Sequence, residues 1–297
     1  MKAIILAAGK GKRFGEITKK IPKPLIKLGD KTLIEHNILL LKDNGINDIV
    51  INVSYLSDLI INFLGDGQKY GVKINYSIEK PEPYETGGGI QYALPILGNK
   101  PFLVLNSDIY TNFRLSDLSL NENDLASLVM VKNPAHNKYG DFSFNDGRLQ
   151  NNNENMMTYS GIGIYDPKIF NNKEFSKYKL IDLLVENIRK NKVSAVAHDG
   201  IWFDIGDKKK LNIAENYFLS SSCHALLFFI TFKAFSNNDF PGFFLYQVER
   251  PDGCGNATIS ILFLYFIFFP TTSFNISKSI NCEIASLPTG IISSGFK

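Results

Sequence analysis

Residues 1–25 read MKAIILAAGKGKRFGEITKKIPKPL, and the fold turns on how the apolar start of this stretch meets the glycines and lysines beyond it. Lys2 to Ala8 is a short, nearly unbroken apolar run, the pattern of a buried strand. It passes without a spacer into Gly9-Lys10-Gly11-Lys12-Arg13-Phe14-Gly15. A loop leaving the carboxyl end of the first parallel strand lies at the usual ligand crevice of an open α/β sheet. Gly9, Gly11 and Gly15 let backbone amides converge there on an anion. Lys10, Lys12 and Arg13 add positive charge at the same place. The spacing is neither G-x-x-x-x-G-K-[ST] nor G-x-G-x-x-G, so it supports neither a P-loop ATPase nor a dinucleotide-binding oxidoreductase. Taken alone, the stretch also fits a solvated basic turn. Lys23 stands between Pro22 and Pro24, whose rings stiffen the backbone that presents it. A phosphate suits such a fixed point charge, and an ordinary turn is the alternative.

Outward from this stretch, short β-rich runs alternate with longer periodic segments up to about residue 110. Thr32 to Asn44 reads as a helix with Leu33, Ile34, Ile38 and Leu41 on one face, and Asp48 to Val53 as the next strand. Ser57 to Leu64 reads as a helix, Lys73 to Ile78 as a strand, Gly87 to Leu97 as a helix and Pro101 to Leu105 as a strand. Strands separated by helices of this length imply right-handed crossovers and a mostly parallel sheet with helices on both faces. Beyond residue 110 the texture changes. DFSFNDGRLQ predicts a hairpin around Asn145-Asp146-Gly147, and YSGIGIY a further strand, so the sheet is expected to be mixed. Lys179 to Lys190 and Asp207 to Phe218 read as helices, the second with Asp207 as its N-cap, and Val193 to Ala197 as a strand.

The chain has 297 residues and a net charge of +3, too slight to argue for a nucleic-acid partner. Its apolar start gives way at once to Lys10, Lys12 and Arg13, unlike a secretory signal, and a cytoplasmic location is expected. Composition shifts near Ser220: only 8 of the 61 charged side chains lie beyond it, together with 13 of the 23 phenylalanines and all three cysteines. This predicts a domain over residues 1–219 and an extension over 220–297. A body without cysteine needs no disulfides, and Cys223, Cys254 and Cys282 lack metal-ligand spacing. The apolar run Ile259 to Phe269 is short of the ~20 residues of a spanning helix. The extension reads as an accessory or aberrant addition without catalysis, with a membrane or partner anchor as the other reading.

The motifs together resemble the sugar-1-phosphate nucleotidyltransferase family. LAAG-x-G-x-R and P-K-P-L carry the resemblance, joined by ETGGGI (85–90), LNSDIYTN (105–112), NPAHNKYGDF (133–142), YSGIGIYDP (159–167) and WFDIGD (202–207). ETGGGI with NPAH and YSGI is most similar to the bacterial uridylyltransferases acting on N-acetylmuramate 1-phosphate in cell-wall recycling. The polar run LQNNNENMM, where thymidylyltransferases carry Glu-Lys-Pro, favours the same branch. The resemblance implies a Rossmann-like nucleotide-diphospho-sugar transferase fold and two substrates, a nucleoside triphosphate and a sugar 1-phosphate.

It also implies roles for individual residues. Leu6, Ala7, Ala8 and Gly9 would line the nucleoside pocket, Gly11, Lys12 and Arg13 would hold the triphosphate, and Lys23 the α-phosphate. Gly87 and Gly88 would approach the base, and Asp108 and Asp204 would share Mg²⁺. Asn106, Tyr139, Gly140, Asp141, Ser160 and Gly161 would face the sugar. A sugar-phosphate oxygen attacks the α-phosphorus and pyrophosphate leaves; this nucleophile is already anionic, so the missing Ser-His-Asp or Cys-His set is no objection. The reaction needs negative charge cancelled by a hard cation, by lysine and arginine, and by fixed amides. Taken singly, Asp108 and Asp204 also fit helix caps or turn formers. A glucose- or mannose-1-phosphate nucleotidyltransferase and a catalytically silent nucleotide-binding relative remain alternatives; the latter should have lost Asp108, Asp204, Lys23 or Arg13, and all four are present.

Overall fold

The structure, a computed structural model, describes residues 1–219 and, farther on, the backbone of two short strands. The chain forms two compact units, Met1–Phe232 and Lys233–Lys297. In the first unit the elements run β1 (Lys2–Leu6), β2 (Lys27–Leu28), β3 (Lys31–Thr32), α1 (Leu33–Asp43), β4 (Asp48–Val53), α2 (Ser57–Leu64), β5 (Lys73–Ile78) and α3 (Glu85–Leu97). There follow β6 (Phe102–Asn106), β7 (Ile109–Thr111), β8 (Ala126–Val131), β9 (Phe142–Asn145), β10 (Arg148–Gln150), β11 (Met156–Tyr165), α4 (Leu180–Arg189), β12 (Val193–His198) and β13 (Trp202–Asp204). A last helix, α5, is described from 208 to 219. In the second unit β14 (Tyr246–Val248) pairs antiparallel with β15 (Ile259–Ile261). The readings of residues 220–297 otherwise fall outside the described residues. Among the described residues, no helix is long and apolar enough to cross a membrane.

Nine strands form one sheet in the order β5-β4-β1-β6-β11-β8-β12-β10-β9. Seven of them run the same way, and only β10 and β11 are reversed. β1 lies near the centre, parallel to β4 on one side and to β6 on the other. Its side chains alternate between two cores: Ala3 and Ile5 pack on the face covered by α1 and α2, and Ile4 on the face covered by α3 and α4. Burial on both faces explains the continuous apolar run with which the chain begins. Helix α1 starts at a capping box in which Thr32 and Glu35 bond each other's backbone amides, and this sharpens its boundary.

The sequence reading and the structure differ after residue 110. β8 carries six buried residues, ASLVMV, between β11 and β12, although the reading placed no strand there. β7 and β13 form a separate two-stranded ribbon with Asp204 opposite Ile109. Two- and three-residue pairings leave almost no periodic signal, so such a ribbon is legible only in three dimensions.

A third apolar cluster joins Phe14 of the glycine loop to Ile26, Leu28, Leu33, Ile205 and Ala214. Phe14 is 1% exposed and anchors the loop beneath its basic residues.

Candidate active site

A cavity of about 580 Å³ opens at the carboxyl ends of β1, β4 and β6. Its walls include Leu6, Ala7, Ala8, Gly9, Lys10, Gly11, Lys12, Arg13 and Lys23, so the two halves of the opening stretch meet in one place. Gly11 has φ +62, and a Cβ there would lie 3.0 Å from the Lys23 Cβ and from Thr18 Cγ2. Glycine therefore permits both the left-handed turn and the close approach of the Lys23 segment. The Thr18 hydroxyl closes the loop by donating to the carbonyl oxygens of Gly11, at 3.0 Å, and Gly15, at 3.2 Å. Lys23 begins a single 3₁₀ turn, Lys23–Leu25, entered from extended Pro22.

Asp108 follows β6 in the short turn to β7 and forms an ion pair with the Lys23 ammonium. The turn is fixed from below: Asn37 of α1 donates to the Ser107 carbonyl at 3.2 Å, and Ser107 N–H donates to Leu6 O at 3.2 Å. The β7–β13 ribbon brings Asp204 beside it, with Ile205 N–H donating to Asp108 O at 2.8 Å. Both oxygens of Asp204 accept from Lys210 Nζ at 2.7 Å, and His136 Nε2 lies 3.2 Å from Oδ2. Asp207 caps α5 by accepting from Lys210 N–H at 2.9 Å, as expected of a cap. That backbone bond, with the nearby charges of Lys210 and Arg13, lowers its pKa below the usual carboxylate value. Gly206 admits Arg13 to the wall, since a Cβ there would stand 2.7 Å from the guanidinium. Of the four charged residues expected at the site, Arg13, Lys23 and Asp108 line the cavity, and Asp204 stands beside Asp108 on the ribbon without reaching the wall.

Not every expected residue reaches the cavity. Gly87 and Gly88, expected to face a base, are buried inside α3, and both of their amides donate to Tyr178 O, at 3.0 and 3.2 Å. Their lack of a Cβ serves packing: the Tyr178 ring lies against Gly87 and the Ser176 carbonyl against Gly88. The preceding Glu85, in the left-handed region at φ 62, and Thr86 line the wall instead. Of the residues assigned to a sugar, Asn106 lines the cavity, whereas Tyr139, Gly140, Asp141, Ser160 and Gly161 do not.

Tyr139 is exposed on a loop whose His136 reaches Asp204. Asp141 is engaged by Tyr159 N–H at 2.8 Å and Asn137 Nδ2 at 3.0 Å. Ser160 is buried, its carbonyl accepting from Trp202 Nε1 at 3.0 Å. Gly161 acts at one remove: at φ +84, its missing Cβ leaves room for the Asn106 amide.

The sequence reading missed a buried chain of hydrogen bonds beneath the wall. Ala7 N–H donates to Asn52 Oδ1 at 2.8 Å, Asn52 Nδ2 donates to Glu79 Oε1 at 2.6 Å, and Tyr84 N–H donates to Glu79 Oε2 at 2.6 Å. These bonds tie the ends of β1, β4 and β5 to the start of α3. Asn52 itself lines the cavity. Burial raises the Glu79 pKa above 4.5, against the opposing pull of Tyr84 N–H and Asn52. A polar residue at the end of an apolar strand, in DIVINV and in KINYSIE, was the available signal.

Residues 2–221 match the nucleotidyl transferase family. The chain is 43% identical over 224 residues to an N-acetylmuramate alpha-1-phosphate uridylyltransferase of Neisseria meningitidis, an alignment spanning 72% of this chain and 97% of the relative. It is 34% identical over 213 residues to a D-glycero-alpha-D-manno-heptose 1-phosphate guanylyltransferase of Campylobacter jejuni, covering 69% and 95% of the two chains. The fold matches HddC from Yersinia pseudotuberculosis complexed with GMP-PN at a TM-score of 0.62 and 24% identity, covering 73% of this chain and 99% of the other. It also matches the inositol-1-phosphate CTP transferase from T. maritima at 0.62 and 20% identity, covering 72% and 93%. With its basic glycine loop, Lys23 and Asp108 in one cavity and Asp204 beside Asp108 on the ribbon, the chain belongs to the nucleotidyl transferase family and is a sugar-1-phosphate nucleotidyltransferase.

Proposed function

We propose that the protein transfers a uridylyl group from UTP to N-acetylmuramate 1-phosphate, yielding UDP-N-acetylmuramate and pyrophosphate, in the recycling of cell-wall sugars. The observation that carries the nucleotidyl chemistry is the convergence of the Gly9–Arg13 loop and Lys23 on Asp108. The choice of base and sugar is supported by the 43% identity to the uridylyltransferase, which extends over nearly the whole of that relative.

In this reading the loop amides and Arg13 receive the β- and γ-phosphates, and Lys23 leaves Asp108 for the α-phosphate as nucleotide binds. Ala7, Ala8 and Gly9 offer backbone edges to the nucleoside, and Asn106 is the sugar-side contact from the cavity wall. Tyr139, exposed on the loop that carries His136, is free to fold over the sugar once it is bound.

Asp108 and Asp204 fit Mg²⁺. Two adjacent carboxylates already neutralised by ammonium groups suit a hard dication, and Mg²⁺ commonly takes one or two carboxylates and completes its shell from phosphate and water. Bound there, the ion would supply charge neutralisation at the α-phosphate.

The test is pyrophosphate release over a matrix of UTP, GTP, CTP and dTTP against N-acetylmuramate, N-acetylglucosamine, glucose, mannose and heptose 1-phosphates. UTP with N-acetylmuramate 1-phosphate is expected to give the highest kcat/KM, and preference for GTP with a heptose or mannose phosphate would refute the assignment. Asp108→Ala and Lys23→Ala are each expected to lower kcat at least about 100-fold, and full rates in both would refute the site.

A further inference from the structure

Asp204 is gripped more tightly than a carboxylate awaiting a metal needs to be. Lys210 Nζ meets both of its oxygens at 2.7 Å, with the two side chains only 16% and 24% exposed. Partial exclusion of water strengthens this attraction relative to an open surface pair. The lysine is also fixed at its root. It stands in the first turn of α5, its amide bonded to the Asp207 cap, so the ammonium reaches Asp204 from an ordered backbone. His136 approaches the same carboxylate at Oδ2 only. Lys23 holds Asp108 through a single oxygen and both of these line the cavity, whereas the Lys210–Asp204 pair stands behind it. Lys210 therefore has no evident phosphate to move to, and its engagement with Asp204 calls for a different account.

We propose that Lys210 is a built-in counter-cation of the metal-binding carboxylate, occupying both oxygens of Asp204 until a divalent cation displaces it and thereby setting the affinity of the site for that cation. This rests on the reading of Asp204 as a metal carboxylate. A dication and an ammonium cannot share the two oxygens without strong mutual repulsion, so metal entry requires the lysine stem to swing away. The free protein accordingly binds the ion weakly. Binding tightens when nucleotide contributes phosphate oxygens and negative charge, which offset the displaced ammonium. Lys210 is thus a positioning residue that acts through Asp204.

The test is titration of nucleotide-free protein with Mn²⁺, with free Mn²⁺ read by electron paramagnetic resonance. Lys210→Met and Lys210→Gln are each expected to bind Mn²⁺ at least about tenfold more tightly than the unmodified protein, and Lys210→Arg, which keeps the charge, to match it. In chelator both neutral variants should melt at a lower temperature than the unmodified protein, having left Asp204 without its cation, and added Mn²⁺ should raise their melting temperature more than it raises the parent's. Mn²⁺ affinity equal to or weaker than the parent's in both neutral variants, while Asp204→Asn abolishes binding, would overturn the proposal and leave the metal assignment intact. Undiminished Mn²⁺ binding by Asp204→Asn would overturn both. If Lys210→Met fails to fold, Lys210→Gln gives the same readout.

Discussion

Glu79→Ala tests whether the buried chain beneath the cavity wall holds the site together. Glu79 is 1% exposed and accepts from two donors, Asn52 Nδ2 and Tyr84 N–H, each at 2.6 Å. Truncation leaves Asn52 Nδ2 buried and unsatisfied at about 1–3 kcal/mol, while the partly buried Tyr84 N–H, open to water, loses about 1 kcal/mol, so the loss is on the order of 2–4 kcal/mol. Desolvation of the carboxyl, visible in its raised pKa, is recovered on truncation and draws the figure toward the lower end. At an m-value of about 2 kcal/mol/M, urea denaturation should show the midpoint falling by about 1 M or more.

The nucleotide KM should rise as well, because Asn52 lines the cavity and positions Ala7 N–H. Glu79→Gln adds a pH test. A folded-state pKa raised above 4.5 means the fold favours the protonated form, so the contribution is fully present below that value and is lost as pH rises through the folded-state pKa. The stability of the unmodified protein minus that of Glu79→Gln should therefore be largest in acid and shrink with rising pH. A midpoint for Glu79→Ala within about 0.2 M of the parent, with unchanged nucleotide KM, would refute the argument.

Gly161→Ala is expected to cost about 1–2 kcal/mol from its left-handed backbone and to push Asn106 off the wall, since the new methyl would lie 2.5 Å from the Asn106 amide. Thermal melting and sugar-phosphate KM read the two effects, and parental values in both would contradict the placement. Asp124, 5% exposed, receives Arg148 Nη1 on both oxygens at 2.7 and 2.8 Å. Burial acts to raise its pKa, but the Arg148 and Asn121 bonds outweigh it and hold the pKa below 3.8. A depressed carboxylate stabilises above its unfolded value and ceases to as pH falls through the folded one. Asp124→Asn should therefore cost on the order of 3 kcal/mol at neutral pH, with the deficit narrowing below pH 3.8; a pH-independent deficit in chemical denaturation would refute this.

Much of the first half of the fold was legible because each element there has its own period. The segments Asp48–Val53, Ser57–Leu64 and Lys73–Ile78 fall where the reading set them, since buried strands and amphipathic helices place apolar residues at fixed intervals. β8 was missed although fully buried: it follows an irregular connection, and Ser127 breaks its apolar residues into a run too short to mark a strand by itself. Gly87 and Gly88 show a different limit. A glycine signals a close approach but not what approaches, and here it is Tyr178 and Ser176.

The central strand, the basic glycine loop at its end, the stiffened Lys23 and the family to which these belong are legible in the chain alone, because each is a local pattern of residue types. The folded arrangement was needed to bring Lys23 onto Asp108, to set Asp204 beside it on a two-stranded ribbon, and to place Lys210 and Glu79 behind the site. Asp108 and Asp204 are 96 positions apart in the chain. No local pattern records that separation; it is closed by the pairing of β7 with β13, itself held by Ile205, which packs with Phe14 of the opening loop in the third apolar cluster.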